Sequence, residues 1–317
     1  MVYNTFLETL ESRLQILLTG QAHVTLRQIP KNNGVLLDSL CISCPGSLVS
    51  PVIYLKEYYD QYQSGIPIDT IISDILSVYQ KNSLPDDSHF RKFSSRSHAK
   101  HHLVYKLIST EANLALLSQI PHIPFLDLSI VFYLFFDDGT TCFSSLVYYD
   151  HLKEWQMTKE ELFPLALKNS QKLLPSTIRN MADVVRQMAS SEIDHLEEEL
   201  IEDDTLYILT NTSEFHGAGC LLYPGQLKSF ADSMESDLIV LPSSIHEVLL
   251  TPDRDFLRYH VLNEMVSQIN EEEVLTEDRL SNHIYLYSRK DDRLHIPAGA
   301  SASLPISCFQ PNNRLPI

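Results

Sequence analysis

The chain has 317 residues, of which 44% are hydrophobic and 21% charged, a composition that sustains one large or two ordinary globular domains and excludes a disordered one. Its 41 acidic against 24 basic residues leave a formal net charge of -17. That excess excludes non-specific binding to nucleic acid or to an anionic membrane surface, because both rely on Lys and Arg neutralising phosphate. Tyr3 to Leu18 predicts an amphipathic helix; Glu8 and Glu11 fall inside its apolar pattern and no basic segment precedes it, so it is not read as a secretory signal. The longest apolar run, Leu126 to Phe136, is broken by Asp127 and falls short of the roughly 18 apolar residues that span a bilayer. The expected location is the cytoplasm, and the five scattered cysteines, Cys41, Cys44, Cys142, Cys220 and Cys308, fit a reducing compartment better than a disulfide framework.

Strands at His23 to Ile29 and Val35 to Ser43 flank Lys31-Asn32-Asn33-Gly34, and Asn33-Gly34 is the sequence of a hairpin turn with positive φ at both central residues. Cys41 and Cys44 are spaced as C-x-x-C, but they end a strand-like run and meet Pro45-Gly46 instead of opening a helix. They are read as ordinary strand cysteines, not as a redox or zinc pair. After Pro51, Leu55, Tyr58, Tyr59 and Tyr62 recur at helical spacing up to Gly65, and Pro67 opens a second helix to about Tyr79. The tyrosines are expected to pack this helix pair.

Leu84 to His102 is polar and lacks periodicity, which predicts a loop leading to a strand at Leu103 to Ile108. Pro121 and Pro124 bracket a turn before FLDLSIVFYLFF, a predicted buried central strand, and Asp138-Gly139 turns into a partner strand at Thr140 to Tyr148. Thr158-x-x-Glu161 matches a capping box for a helix through Lys172, and Pro175-Ser176 predicts another helix to about Ser190. Carboxylates crowd Ser190 to Asp204, which is read as an acidic connector. The expected organisation is therefore an N-terminal α+β domain over 1–190, a connector over 191–205, a C-terminal α+β domain over 206–295 and a disordered tail over 296–317. In the C-terminal part the pattern predicts strands at Leu206 to Thr210, Ala218 to Tyr223, Leu238 to Leu241, Glu247 to Thr251 and His283 to Ser288. Helices are predicted at Gly225 to Met234, Asp255 to Asn270 and Thr276 to Ser281. The fold class is α+β, with mixed, mainly antiparallel sheets, flanking helices and two lobes.

Two constellations carry candidate chemistry. His98, His101 and His102 cluster beside Arg91, Lys92, Arg96 and Lys100; the positive surroundings oppose a metal ion and favour docking of an acidic partner or a phosphate. In LPSSIHEVLL, Ser243, Ser244, His246 and Glu247 place two hydroxyls, an imidazole and a carboxylate at the junction of two strands. A catalytic reading makes His246 a general base for Ser243 or Ser244, oriented by a distant carboxylate such as Asp127, Asp150 or Glu264, or makes His246 and Glu247 part of a metal site. Against it, adjacent strand residues diverge and no G-x-S-x-G elbow is present; the serines then satisfy a turn after Pro242 and His246 ties two strands together. No Walker sequence, H-E-x-x-H or EF-hand loop occurs, and Gly217-x-Gly219 is expected to run into a strand, so no cofactor is implied.

KNNGVLLD at Lys31 to Asp38, YLKEYYDQYQSG, PFLDLSIVFYL, MTKEELFPLALKN, LYILTN, GAGCLLYPGQL and LPSSIHEVLL together resemble an uncharacterised bacterial family, domain of unknown function 5688, up to about Ser288. The resemblance brings no activity or catalytic residue with it; a further similarity of PSSIHEVLL to another uncharacterised family of soluble bacterial proteins implies a cytoplasmic, bacterial origin. The expected function is that of a non-enzymatic protein-binding or adaptor protein without nucleic-acid or membrane partners. The alternative is a hydrolase acting through the residues around Ser243 to Glu247.

Overall fold

Helix α1 (Tyr3–Leu17) turns Phe6, Leu7, Leu10 and Leu14 into a buried stripe at helical spacing, and that stripe builds the first core of the protein. In the computed structural model the described residues are 1–44, 52–81, 95–137, 142–192, 206–242, 244–254 and 259–297. They fall into two compact units, Met1–Ala99 and Lys100–Ile317. The boundary expected from composition lies at 191–205.

In the first unit, β1 (His23–Pro30) and β2 (Leu36–Ser43) form an antiparallel hairpin from His23↔Ser43 to Pro30↔Leu36, and β3 (Val52–Tyr54) adds to β2. Asn33 at φ 58° and Gly34 at φ 71° supply the two left-handed residues the turn needs. Helices α2 (Lys56–Gln63) and α3 (Ile68–Lys81) follow, and Tyr58, Tyr59 and Tyr62 pack half-buried against the core of α1. Both C-x-x-C cysteines are unbridged: Cys41 is buried in β2, and Cys44, just past its end, is exposed with its thiol 3.0 Å from the Tyr79 hydroxyl.

A short helix, α4 (Arg96–His102), occupies the end of the stretch expected to be a loop; its earlier part, 84–94, lies outside the described residues. In the second unit β4 (Leu103–Ser109) leads through α5 (Leu114–Leu117) to β5 (His122–Phe125), β6 (Leu128–Asp137) and β7 (Cys142–Leu146). Strand β6 pairs antiparallel with β4, β5 and β7 and is buried over most of its length, as its aromatic and β-branched composition requires. The apolar run from Phe125 is nevertheless two strands, because Leu126 takes φ 53° and Leu126-Asp127 closes a hairpin with Phe125 opposite Leu128. The Asp138-Gly139 turn lies outside the described residues.

Helices α6 (Tyr149–Trp155) and α7 (Lys159–Leu173) come next, and the Thr158 capping box forms with Glu161 accepting the Thr158 N–H at 2.8 Å. The helix expected from Pro175 begins later. Ser176–Asn180 is instead strand β8, and Asn180 starts α8 (Met181–Glu192) by accepting the Ala182 N–H at 2.8 Å. Strand β9 (Tyr207–Asn211) pairs with β8, so the second sheet draws strands from both sides of the acidic run. Most of Ala218 to Tyr223, expected as a strand, falls instead in a buried 3-10 helix, Gly217–Leu222. Helix α9 (Gln226–Met234), β10 (Leu238–Leu241), β11 (Val248–Pro252), α10 (Tyr259–Glu272), a 3-10 turn at Thr276–Asp278, β12 (Tyr285–Ser288) and β13 (Arg293–His295) complete the unit. The sheet order is β13-β12-β10-β11-β9-β8, antiparallel throughout, and the architecture is α+β. Residues 298–317, expected as a tail, lie outside the described residues.

Candidate functional site

The segment between β10 and β11 is stitched down by its own backbone. The Ser244 N–H donates to the Glu247 carbonyl at 3.2 Å, and the Ser244 hydroxyl oxygen accepts the His246 backbone N–H at 3.0 Å. Ile245 is buried, donates its N–H to the Asp278 carbonyl at 2.8 Å and accepts the Ala218 N–H at 3.2 Å. The Thr210 hydroxyl donates to the His246 carbonyl at 2.8 Å. This mesh explains Gly217: a Cβ there would stand 2.2 Å from the Thr210 hydroxyl oxygen and 2.4 Å from the His246 carbonyl oxygen, so only glycine lets these strands close. Ser243 lies outside the described residues.

The His246 ring is held on both sides. Its Nδ1 accepts the His216 backbone N–H at 3.3 Å, which puts the proton on Nε2, and Nε2 donates to Asp278 Oδ1 at 3.3 Å. The carboxylate that reaches His246 is thus Asp278, from the 3-10 turn, and none of the three carboxylates considered from sequence does so. Asp127 serves another cluster, Asp150 pairs with Lys153 at 2.8 Å on the surface, and Glu264 lies 3.4 Å from His260 on α10. Glu247 enters the segment through its carbonyl.

Three groups that the sequence did not single out extend the row. His216 sits in a left-handed conformation, φ 56°, and its ring stacks 5.7 Å from that of His246 and meets Tyr133 edge-on at 4.9 Å. Lys106 Nζ, from β4, lies 3.4 Å from His216 Nε2; an ammonium only donates, so in this contact His216 Nε2 accepts. The result is a row, Lys106, His216, His246, Asp278, in which each imidazole already has polar neighbours. The signal for His216 was present in Gly217-x-Gly219, whose glycines mark close approaches, to Thr210 and His246 at one end and to the Tyr105 ring at 3.3 Å at the other.

A second cluster centres on Asp127. Its two oxygens accept from Ser281 at 2.6 Å and from Tyr285 at 2.7 Å, and the Ser281 oxygen accepts the His283 N–H at 2.9 Å. Burial, then the Asp127 charge, push the Tyr285 phenol well above its ordinary value. Burial likewise raises the Cys220 thiol to about 12, which makes it an inert packing group.

The histidines of α4 have contacts of their own. His102 Nδ1 lies 3.0 Å from the Phe135 carbonyl and its ring 5.7 Å from Phe136; the His98 N–H donates to the Ser95 hydroxyl at 3.3 Å; His101 is exposed. Among the described residues no three His, Cys, Asp or Glu side chains come together as a metal site. Two shallow concavities, one lined by Ser288, Asp291, Arg293, Leu294 and His295 and one in the first unit beside Gln61 and Asp74, contain none of the Lys106 to Asp278 row. No helix among the described residues is long and apolar enough to cross a membrane.

A family model described as a family of unknown function (DUF5688) matches residues 3–289. No curated protein and no solved structure matches the chain.

Proposed function

The chain belongs to the DUF5688 family, whose description assigns no activity, and from that premise we propose that it is a bacterial, cytoplasmic, non-enzymatic protein-binding or adaptor protein. The observation that carries this reading is the pair of bonds on the His246 ring. A general base needs a ring nitrogen aimed at the nucleophile's proton, whereas here one nitrogen accepts from the His216 backbone and the other donates to Asp278. The Ser244 hydroxyl faces the His246 backbone N–H instead of its ring. The row therefore ties the Gly217 turn, the Ser244 to Glu247 segment and the Thr276–Asp278 turn together, and leaves the outer surface of the fold for recognition.

The hydrolase alternative draws on one observation, the imidazole–carboxylate contact between His246 and Asp278 at 3.3 Å. The two readings separate on a pair of measurements, thermal unfolding of His246→Ala and covalent labelling of the wild-type chain with a fluorophosphonate followed by peptide mapping. The binding reading expects a lower Tm by the equivalent of about 1 kcal/mol from the lost side-chain bonds and no label on Ser243 or Ser244. A label on either serine that disappears in a folded His246→Ala protein overturns it.

A further inference from the structure

Helix α10 is apolar on two sides, and the sheet needs only one of them. Its inner side lays Val266, with Tyr259 and Leu262, against Ile239, Leu241 and Ile284 of the second unit. Its outer side carries Val261, Met265 and Ile269, spaced i, i+4, i+8 so that they form one ridge, and these are 58%, 49% and 45% exposed. Leu275, 67% exposed, lies just beyond the C-terminal end of the helix. A lone exposed aliphatic is ordinary on a protein surface, but an aligned ridge with a methionine at its centre is the surface that grips another helix.

Charge selects the occupant. Glu264 and Glu272 on α10 are exposed beside the ridge, three residues on from Val261 and Ile269, and the helix contains no lysine or arginine. His260 faces Glu264 at 3.4 Å, and the Arg279 guanidinium is used on the Glu271 and Val274 carbonyls, at 2.9 and 3.1 Å, where it closes the helix end. The whole chain carries a net charge of -17. A second copy would bring its own acidic rim against this one, and an anionic bilayer would be repelled in the same way.

Resting on the protein-binding reading above, we infer that the Val261–Met265–Ile269 ridge docks an amphipathic helical segment of a partner protein whose apolar anchors are flanked by lysine and arginine. The apolar anchors interdigitate with the ridge and the basic flanks meet Glu264 and Glu272.

The test titrates the full chain with two fluorescent synthetic helices that share leucines at i, i+4 and i+8 and differ only in flanking residues, lysine and arginine in one, glutamate in the other. The basic peptide binds at least about tenfold more tightly than the acidic one, weakens as salt is raised, and loses about tenfold on Val261→Ser with Met265→Ser and Ile269→Ser, exposed changes that leave Tm in place. Reversing the rim with Glu264→Lys and Glu272→Lys exchanges the preference between the two peptides. Equal binding of both peptides, binding that survives the serine variant, or no binding of either overturns the proposal. So does self-association in the ultracentrifuge that the serine variant abolishes, since the occupant is then a second copy. In each of these cases the broader reading stands or falls separately on the fluorophosphonate experiment.

Discussion

The Asp127 cluster and the His246 row use similar side chains and differ in closure. Asp127 accepts two hydroxyl bonds at 2.6 and 2.7 Å from Ser281, which is 8% exposed, and Tyr285, which is fully buried. In the row, His246 and Asp278 side chains are 31% and 28% exposed and their bond is 3.3 Å. Short bonds in a dry place are costly to break because each orphaned partner has lost its water; longer bonds at a half-open place can be exchanged for water at little cost. The first cluster therefore behaves as structure, and the second as a fastening whose backbone mesh matters more than its ring.

Asp127→Ala should give the largest effect that separates them. It leaves the Tyr285 and Ser281 hydroxyls without their acceptor, at about 1–3 kcal/mol for each buried group, so a loss of about 4 kcal/mol is expected in urea unfolding. A loss under about 1 kcal/mol would mean that water enters freely and the contrast in closure is wrong. Gly217→Ala comes next, at about 3 kcal/mol, because its Cβ meets backbone as well as a side chain and the mesh around His246 cannot yield locally. If Gly217→Ala proves nearly neutral, the mesh is looser than its bonds imply.

How far the two clusters could be read in advance follows from what holds them. The hairpin at Asn33-Gly34, helix α1 and the Thr158 capping box were legible because each is settled by residues within a few positions of one another. Leu126-Asp127 was not: nothing in FLDL announces a turn, and the left-handed leucine is sustained by distant partners, Ser281 and Tyr285 on Asp127 and the Thr110 N–H on the Asp127 carbonyl. The same holds for the 3-10 helix at Gly217–Leu222, where the apolar run Ala218 to Tyr223 predicts a strand: its conformation is set by the close approach of Gly217 to Thr210 and His246 and of Gly219 to Tyr105. His246 lies between β10 and β11, and its carboxylate is Asp278, which shares no local pattern with it. Ser243 lies outside the described residues, and the α4 histidines sit on a helix, with His102 Nδ1 3.0 Å from the Phe135 carbonyl.

Alkaline unfolding sharpens the comparison at smaller scale. The Tyr285 phenol is held protonated in the fold by burial and by Asp127, well above the 10.0 of an unfolded tyrosine, and Cys220 is held at about 12 against 9.0. Between the unfolded and folded values the unfolded chain binds fewer protons, so stability is fully present below about pH 9 and falls as pH rises, by about 1.4 kcal/mol per unit for each such group. Tyr285→Phe should flatten the limb of the Tm curve above pH 10 while lowering Tm at neutral pH. An unchanged alkaline limb would place the titrating groups elsewhere.

Ser244→Ala is the smallest change and tests the row directly. The Ser244 oxygen accepts the His246 backbone N–H at a half-buried turn, a bond of the kind that contributes about 0.5–1 kcal/mol and that water can replace. The Ser244 N–H keeps its own bond to the Glu247 carbonyl, and Ile245 keeps both of its backbone bonds, so the segment should hold its shape. The expected loss is therefore about 0.5 kcal/mol, with the His246 ring resonances little moved in NMR spectra because the ring's two partners, the His216 N–H and Asp278, are untouched. A large displacement of those resonances would show that the hydroxyl governs the ring after all, and with it the distinction between a backbone fastening and a side-chain dyad would fall.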